Sequence, residues 1–119
     1  MAHLPMDDGA LGGLVAFYSI IHTPPQELPS LLAELRRVLA PGAPALFAFQ
    51  VPATAEPSEH RRIEHGFGHD VALDAYRYAP AFVAELLASA GMPAHATLVR
   101  GPVDASEKGE RAYILARAD

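Results

Sequence analysis

Leu14-Val-Ala-Phe-Tyr-Ser19, Leu28-Pro-Ser-Leu-Leu-Ala-Glu-Leu-Arg-Arg-Val-Leu39 and Ala45-Leu-Phe-Ala-Phe-Gln-Val51 are the three stretches whose reading decides the fold. The first and third are apolar almost throughout, as strands covered on both faces are. The second repeats Leu28, Leu31, Leu32, Leu35, Val38 and Leu39 at helical spacing and leaves Glu34, Arg36 and Arg37 for solvent. Pro41-Gly42 ends that helix. Strand, helix, strand in this order predicts a parallel βαβ unit and an α/β layer.

Working outward, Met1 to Gly13 contains Pro5 and the Asp7-Asp8-Gly9 turn signal and reads as a loop. Thr23 and Gln26 have the spacing of a capping box, with Pro24 at the first helical position. Pro29 lacks a donor and crowds the turn before it, so the spacing predicts a short turn at 24–27 and a main helix from 28 or 29 to 39. From Pro52 to Asp70 the composition changes to Pro, Glu, His and Arg. A connection of this length reads as a lid-like insertion, with a short helix at Glu59 to His65. Val71 to Tyr78 reads as a short strand. Pro80 to Ala90 reads as a helix with Pro80 near its start and Gly91 past its end. Ala94 to Arg100 and Arg111 to Arg117 read as an antiparallel strand pair. The expected domain is single, residues 1–119, with 52–70 as its insertion.

The composition sets bounds on function. The 119 residues are 50% hydrophobic and 19% charged, the balance of a folded domain with its own core. A net charge of −5 leaves no basic surplus for phosphates and argues against nucleic acid as partner. No apolar run approaches the roughly 20 residues that span a bilayer, and no signal-peptide pattern is visible. The default expectation is a cytoplasmic protein, and its wealth of Ala, Pro, Arg and Gly suggests a bacterial source. There is no cysteine, so disulfides and thiolate metal sites are excluded.

The joint pattern resembles the C-terminal half of a class I S-adenosylmethionine (SAM) dependent methyltransferase. The residues that carry this resemblance are Phe17-Tyr-Ser-Ile-Ile-His-Thr-Pro-Pro25 after the first strand, Leu35-Arg-Arg-Val-Leu-Ala-Pro-Gly42 after the helix, and Glu64-His-Gly-Phe-Gly-His69 in the insertion. The resemblance implies a Rossmann-like half-domain with a mixed sheet of about four strands, two parallel and then an antiparallel pair, flanked by helices. It implies SAM as the cofactor, with Phe17, Tyr18 and Ser19 on the cofactor wall, and a small-molecule methyl acceptor held near His22, Phe67 and His69. Many members carry an Asp just before the first of these strands, where this chain has Gly12 or Gly13. The family's glycine-rich SAM loop is expected upstream of Leu14 and has no counterpart here, so the chain reads as truncated.

Other chemistries find less support in the residues. His60, His65 and His69 lie close together, but their spacings of five and four match no familiar zinc pattern, and local carboxylates are the expected partners. Gly66-Phe-Gly68 is not a phosphate loop, and no serine sits in a GxSxG setting. Glu34/Arg37 and Glu107/Arg111 read as exposed ion pairs of little energetic weight. Three functions follow. One is a truncated SAM-dependent methyltransferase, weak or inactive alone. Another is a non-catalytic dimeric remnant that binds a small molecule or a partner. The third keeps catalysis, with a separate chain supplying the glycine loop. A first strand without its neighbour is an exposed apolar edge, so a homodimer through Leu14 to Ser19 or the adjacent apolar face is expected.

Overall fold

The computed structural model describes residues 4–17, 20–66, 69–102 and 109–119. Its strands are β1 (Leu14–Phe17), β2 (Pro44–Gln50), β3 (Ser58–Gly66), β4 (His69–Tyr78), β5 (Ala94–Arg100) and β6 (Arg111–Arg117). Its α-helices are α1 (Leu28–Val38) and α2 (Pro80–Ser89), preceded by 3-10 turns at Ile20–His22 and Pro25–Glu27. The main sheet has the order β1-β2-β6-β5, with β1 parallel to β2 and the remaining pairs antiparallel. This is the mixed α/β sheet the sequence predicts.

The core lies between one face of that sheet and the two helices. Leu28, Leu31, Leu32 and Leu35 of α1 and Val83 and Leu87 of α2 cluster with Ala16, Ala45, Phe47, Phe49, Ala112 and Ile114 of the sheet. Phe47 and Phe49 are fully buried, and each burial contributes about 1.5–3 kcal/mol relative to exposure. Pro29 sits in the first turn of α1, where a missing N–H costs no helical hydrogen bond. Gly42 and Gly91 follow the two helices with φ of +79° and +84°, the left-handed geometry that favours glycine. Among the described residues, no helix is long and apolar enough to cross a membrane.

Three expectations are corrected. Glu59 to His65 is strand, not helix: β3 and β4 form a separate two-stranded antiparallel sheet, paired from Ser58↔Tyr78 to Gly66↔His69. Ser58-Glu-His-Arg-Arg is polar on both faces and has no periodicity of its own, so the pairing with β4 imposes its extended form. Thr23 does not cap a helix. Pro24 holds that position with no side-chain cap, while the Thr23 N–H bonds the Ile20 carbonyl at 3.1 Å. The Glu34/Arg37 pair is more than a surface contact. Arg37 donates to Glu34, to Asp8 Oδ1 at 2.7 Å, and to the carbonyls of Met6 and Leu4 at 2.8 and 2.9 Å. These bonds tie the segment before β1 to α1. The hydrogen bonds that Arg37 donates to Glu34 first, and to Asp8 next, hold its guanidinium pKa above the ordinary value.

Candidate functional site

In open α/β sheets, ligands sit beyond the carboxyl ends of the parallel strands. Here those ends are Phe17 and Gln50, and the chain between β1 and α1 runs from there through the 3-10 turn of Ile20–His22. The β3–β4 hairpin packs against that turn and against β2. The site is thus assembled from three elements: the turn after β1, the hairpin, and the start of α2.

His22 and His60 converge on one residue, Asp74 of β4. His22 Nδ1 lies 3.0 Å from the Asp74 carbonyl oxygen. A carbonyl only accepts, so Nδ1 carries the proton in this contact. His60 Nε2 lies 2.9 Å from Asp74 Oδ1, and both of these side chains are about half exposed. His60 stands opposite Tyr76 in the hairpin register, with ring centroids 5.0 Å apart and planes 24° apart. From Tyr76 the stack continues to Tyr78 at 6.3 Å and from Tyr78 to Phe82 of α2 at 6.0 Å. Tyr78 is fully buried, and its hydroxyl donates to the Thr23 carbonyl just after the turn. Burial, and next the neighbouring Tyr76, push the Tyr78 phenol pKa above its ordinary value. On the opposite face of the hairpin, Arg77 Nη1 contacts Glu59 Oε1 at 3.3 Å.

The structure therefore brings His22 to a polar cluster and ties it by its ring to the hairpin. Phe17 ends β1 with its ring 6.0 Å from that of Tyr113, beside Ala48, on the sheet face opposite the helices. Tyr18, Ser19 and Phe67 lie outside the described residues, as does Glu107. For His69 only the backbone position is described, at the start of β4 and paired with Gly66. His60 pairs with a carboxylate, as the sequence suggests for this histidine. Asp74, Tyr76 and Tyr78 join the site without any motif that marks them. Their spacing of two places them on one strand face, and that alternation was the available signal.

No family profile matches the sequence, and no curated protein matches it. Solved structures do match. One is a SAM-dependent methyltransferase from Methanosarcina mazei, 19% identical, with a TM-score of 0.76 over 97% of this chain and 62% of that one. Another is the Burkholderia thailandensis 1,6-didemethyltoxoflavin N1-methyltransferase, solved with bound 1,6-didemethyltoxoflavin and S-adenosylhomocysteine. It is 15% identical, with a TM-score of 0.69 over 94% of this chain and 46% of that one. A third, a SAM-dependent methyltransferase from Mesorhizobium loti, is 12% identical with a TM-score of 0.68, covering 98% and 65%. The chain thus spans roughly half to two thirds of the length of these structures.

SAM carries a sulfonium, an amino-acid head group and a ribose diol, all of which need polar partners when enclosed. The cavity beside β1 is lined by leucine, methionine, valine, isoleucine and alanine. That lining does not fit SAM. What the sheet order and the comparisons establish together is the architecture: this chain has the fold of the class I SAM-dependent methyltransferases, over nearly its whole length.

Proposed function

We propose that this chain is the acceptor-side portion of a SAM-dependent methyltransferase, and that alone it neither holds SAM nor transfers a methyl group. The observation that carries this reading is the sheet order β1-β2-β6-β5 with its single parallel pair, matched over 97% of the chain by a methyltransferase. On this reading the turn after β1 and the hairpin form the wall against which a small-molecule acceptor rests. His22 faces that acceptor, and Phe17 belongs to the side where the cofactor lies in the complete enzyme. Asp74 fixes His22 and His60, so the histidine rings are oriented before a ligand arrives, which is the main contribution a positioning wall makes. The net charge of −5 supports a small acceptor over a nucleic acid.

Isothermal titration tests both parts. The chain alone is expected to release no binding heat with SAM or S-adenosylhomocysteine up to about 1 mM, a concentration that detects affinities near −4 kcal/mol. Added to a chain that carries a glycine-rich strand–loop–helix, it is expected to restore cofactor binding and release of S-adenosylhomocysteine. Saturable micromolar SAM binding by the chain alone overturns the dependence on a second part. Failure of every such combination overturns the methyltransferase reading.

A further inference from the structure

His22 is held by one ring nitrogen and presents the other. Its Nδ1 donates to the Asp74 carbonyl at 3.0 Å. A carbonyl only accepts, so this contact keeps the proton of the neutral ring on Nδ1 and leaves a lone pair on Nε2. Among the described residues nothing donates to that Nε2, and the side chain is exposed. The ring stands in the 3-10 turn after β1, at the carboxyl end of a parallel strand, where ligands of open α/β sheets sit.

The hairpin adds flat surface to this lone pair. The stack of Phe82, Tyr78, Tyr76 and His60 begins in the core, where Tyr78 is fully buried. It ends at His60, whose side chain is 54% exposed. His60 Nε2 is held by the Asp74 carboxylate, which also only accepts, so that nitrogen carries a proton. Asp74 thus fixes both imidazoles, His22 through its backbone and His60 through its side chain. A planar ring against the exposed end of the stack gains ring contact, and a hydrogen-bond donor on it meets a lone pair on His22.

We propose that the ligand of this wall is a neutral aromatic molecule whose O–H or N–H group donates to His22 Nε2. A ligand that has methyl in place of that hydrogen has nothing to donate, so the same nitrogen takes the hydroxyl compound and rejects its methyl ether. Asp74 is a positioning residue here, acting only through the two rings. That the ligand is the methyl acceptor rests on the methyltransferase reading; the hydrogen bond to Nε2 does not. A purely structural His22 needs only its Nδ1 bond to the hairpin and is indifferent to what meets Nε2. The apolar cavity beside β1 is equally indifferent, because its lining side chains offer no polar partner that distinguishes a hydroxyl from an ether.

Magnetic resonance of the full chain, with nitrogen-15 in its histidine rings, tests the proposal by titration with phenol and with anisole at pH 8. Free imidazole is neutral at that pH and a phenol keeps its proton. Before any ligand is added, the His22 ring is expected to carry its proton on Nδ1 and none on Nε2. Phenol is expected to shift the Nε2 signal saturably in the millimolar range. Anisole is expected to bind at least ~5-fold more weakly, the worth of one hydrogen bond. His22→Asn keeps a side-chain amide donor near the Nδ1 position and has nothing in place of Nε2. It is expected to leave the hairpin amides protected from exchange and to bind the two probes alike. A proton on Nε2 of His22 overturns the proposal, as does a Nε2 signal that phenol leaves unmoved. Equal affinity for phenol and anisole overturns it too, and so does a preference for phenol that survives in His22→Asn. All but the last are read on the unaltered chain, so they decide even where the variant does not fold. Neither SAM nor a second chain takes part, so failure here leaves the cofactor titration standing, and failure there leaves this result standing.

Discussion

Replacing Tyr78 by phenylalanine removes one oxygen atom from the interior and tests how the hairpin is held to the site. The hydroxyl donates to the Thr23 carbonyl, and the ring is fully buried between Tyr76 and Phe82. Near neutral pH the loss of this bond costs about 1 kcal/mol, or roughly 4 °C in melting temperature for a domain of this size. The effect changes with pH. An unfolded tyrosine ionises near pH 10, whereas burial raises the pKa of Tyr78 in the folded chain. Below pH 10 both states keep the proton and pH has no effect through this group. Above pH 10 the unfolded state loses the proton first, so it binds fewer protons than the folded state and stability falls. The fall approaches about 1.4 kcal/mol per pH unit and accumulates to about 1.4 kcal/mol at pH 11. Phenylalanine has no proton to lose, so the Tyr78→Phe chain escapes this term. Thermal melts followed by circular dichroism at pH 7, 9 and 11 are therefore expected to show the parent more stable at pH 7 and 9. The gap closes by pH 11. Other tyrosines titrate equally in both chains and cancel in the difference. A gap that stays constant from pH 9 to 11 refutes the argument that the buried phenol resists ionisation. Equal melting at pH 7 refutes the anchoring role of the Thr23 bond.

Two further expectations concern how the ends of the chain are held. Gly91→Ala is expected to cost about 1–2 kcal/mol by thermal melting, since its φ of +84° penalises any L side chain. The added Cβ also meets Arg36 Nε at 3.4 Å, beside the bonds that join Arg36 and Gly91 to Asp119. No loss, or the gain of about 0.4–1 kcal/mol that Gly-to-Ala brings in a relaxed site, argues against that geometry. Arg37→Gln is expected to raise the amide exchange rates of Gly9 and Leu11, which bond the carbonyls of Arg37 and Val38 at 2.8 Å, while β2 stays protected. Unchanged exchange at both amides shows that those backbone bonds hold the segment without the guanidinium.

How much of this was legible in the sequence depends on whether a segment's own pattern or its neighbour's decides its form. The βαβ unit was readable because Leu31, Leu32, Leu35 and Val38 bury the same face that helical spacing puts together, and Phe47 and Phe49 sit on the core face of β2. Pro80 and Gly91 bracket α2 by local backbone chemistry alone. The hairpin was not readable. Ser58 to Gly66 has charged or polar residues on both faces, so period-two burial leaves no trace in it. Only the alternating Asp74, Tyr76 and Tyr78 of the opposite strand show which face matters. The same distinction governs the site. His22 stands out in an apolar stretch after β1. Its partner is a backbone carbonyl 52 residues away, and a carbonyl bonds alike from any residue type, so the sequence carries no sign of that contact. The Asp74 carboxylate, bonded to His60 across the hairpin, and the Tyr78 hydroxyl, bonded to Thr23, are the side chains that record it. A wall built this way places its histidines through hairpin pairing rather than through a local motif, which is why its parts look unrelated until the two strands are laid side by side.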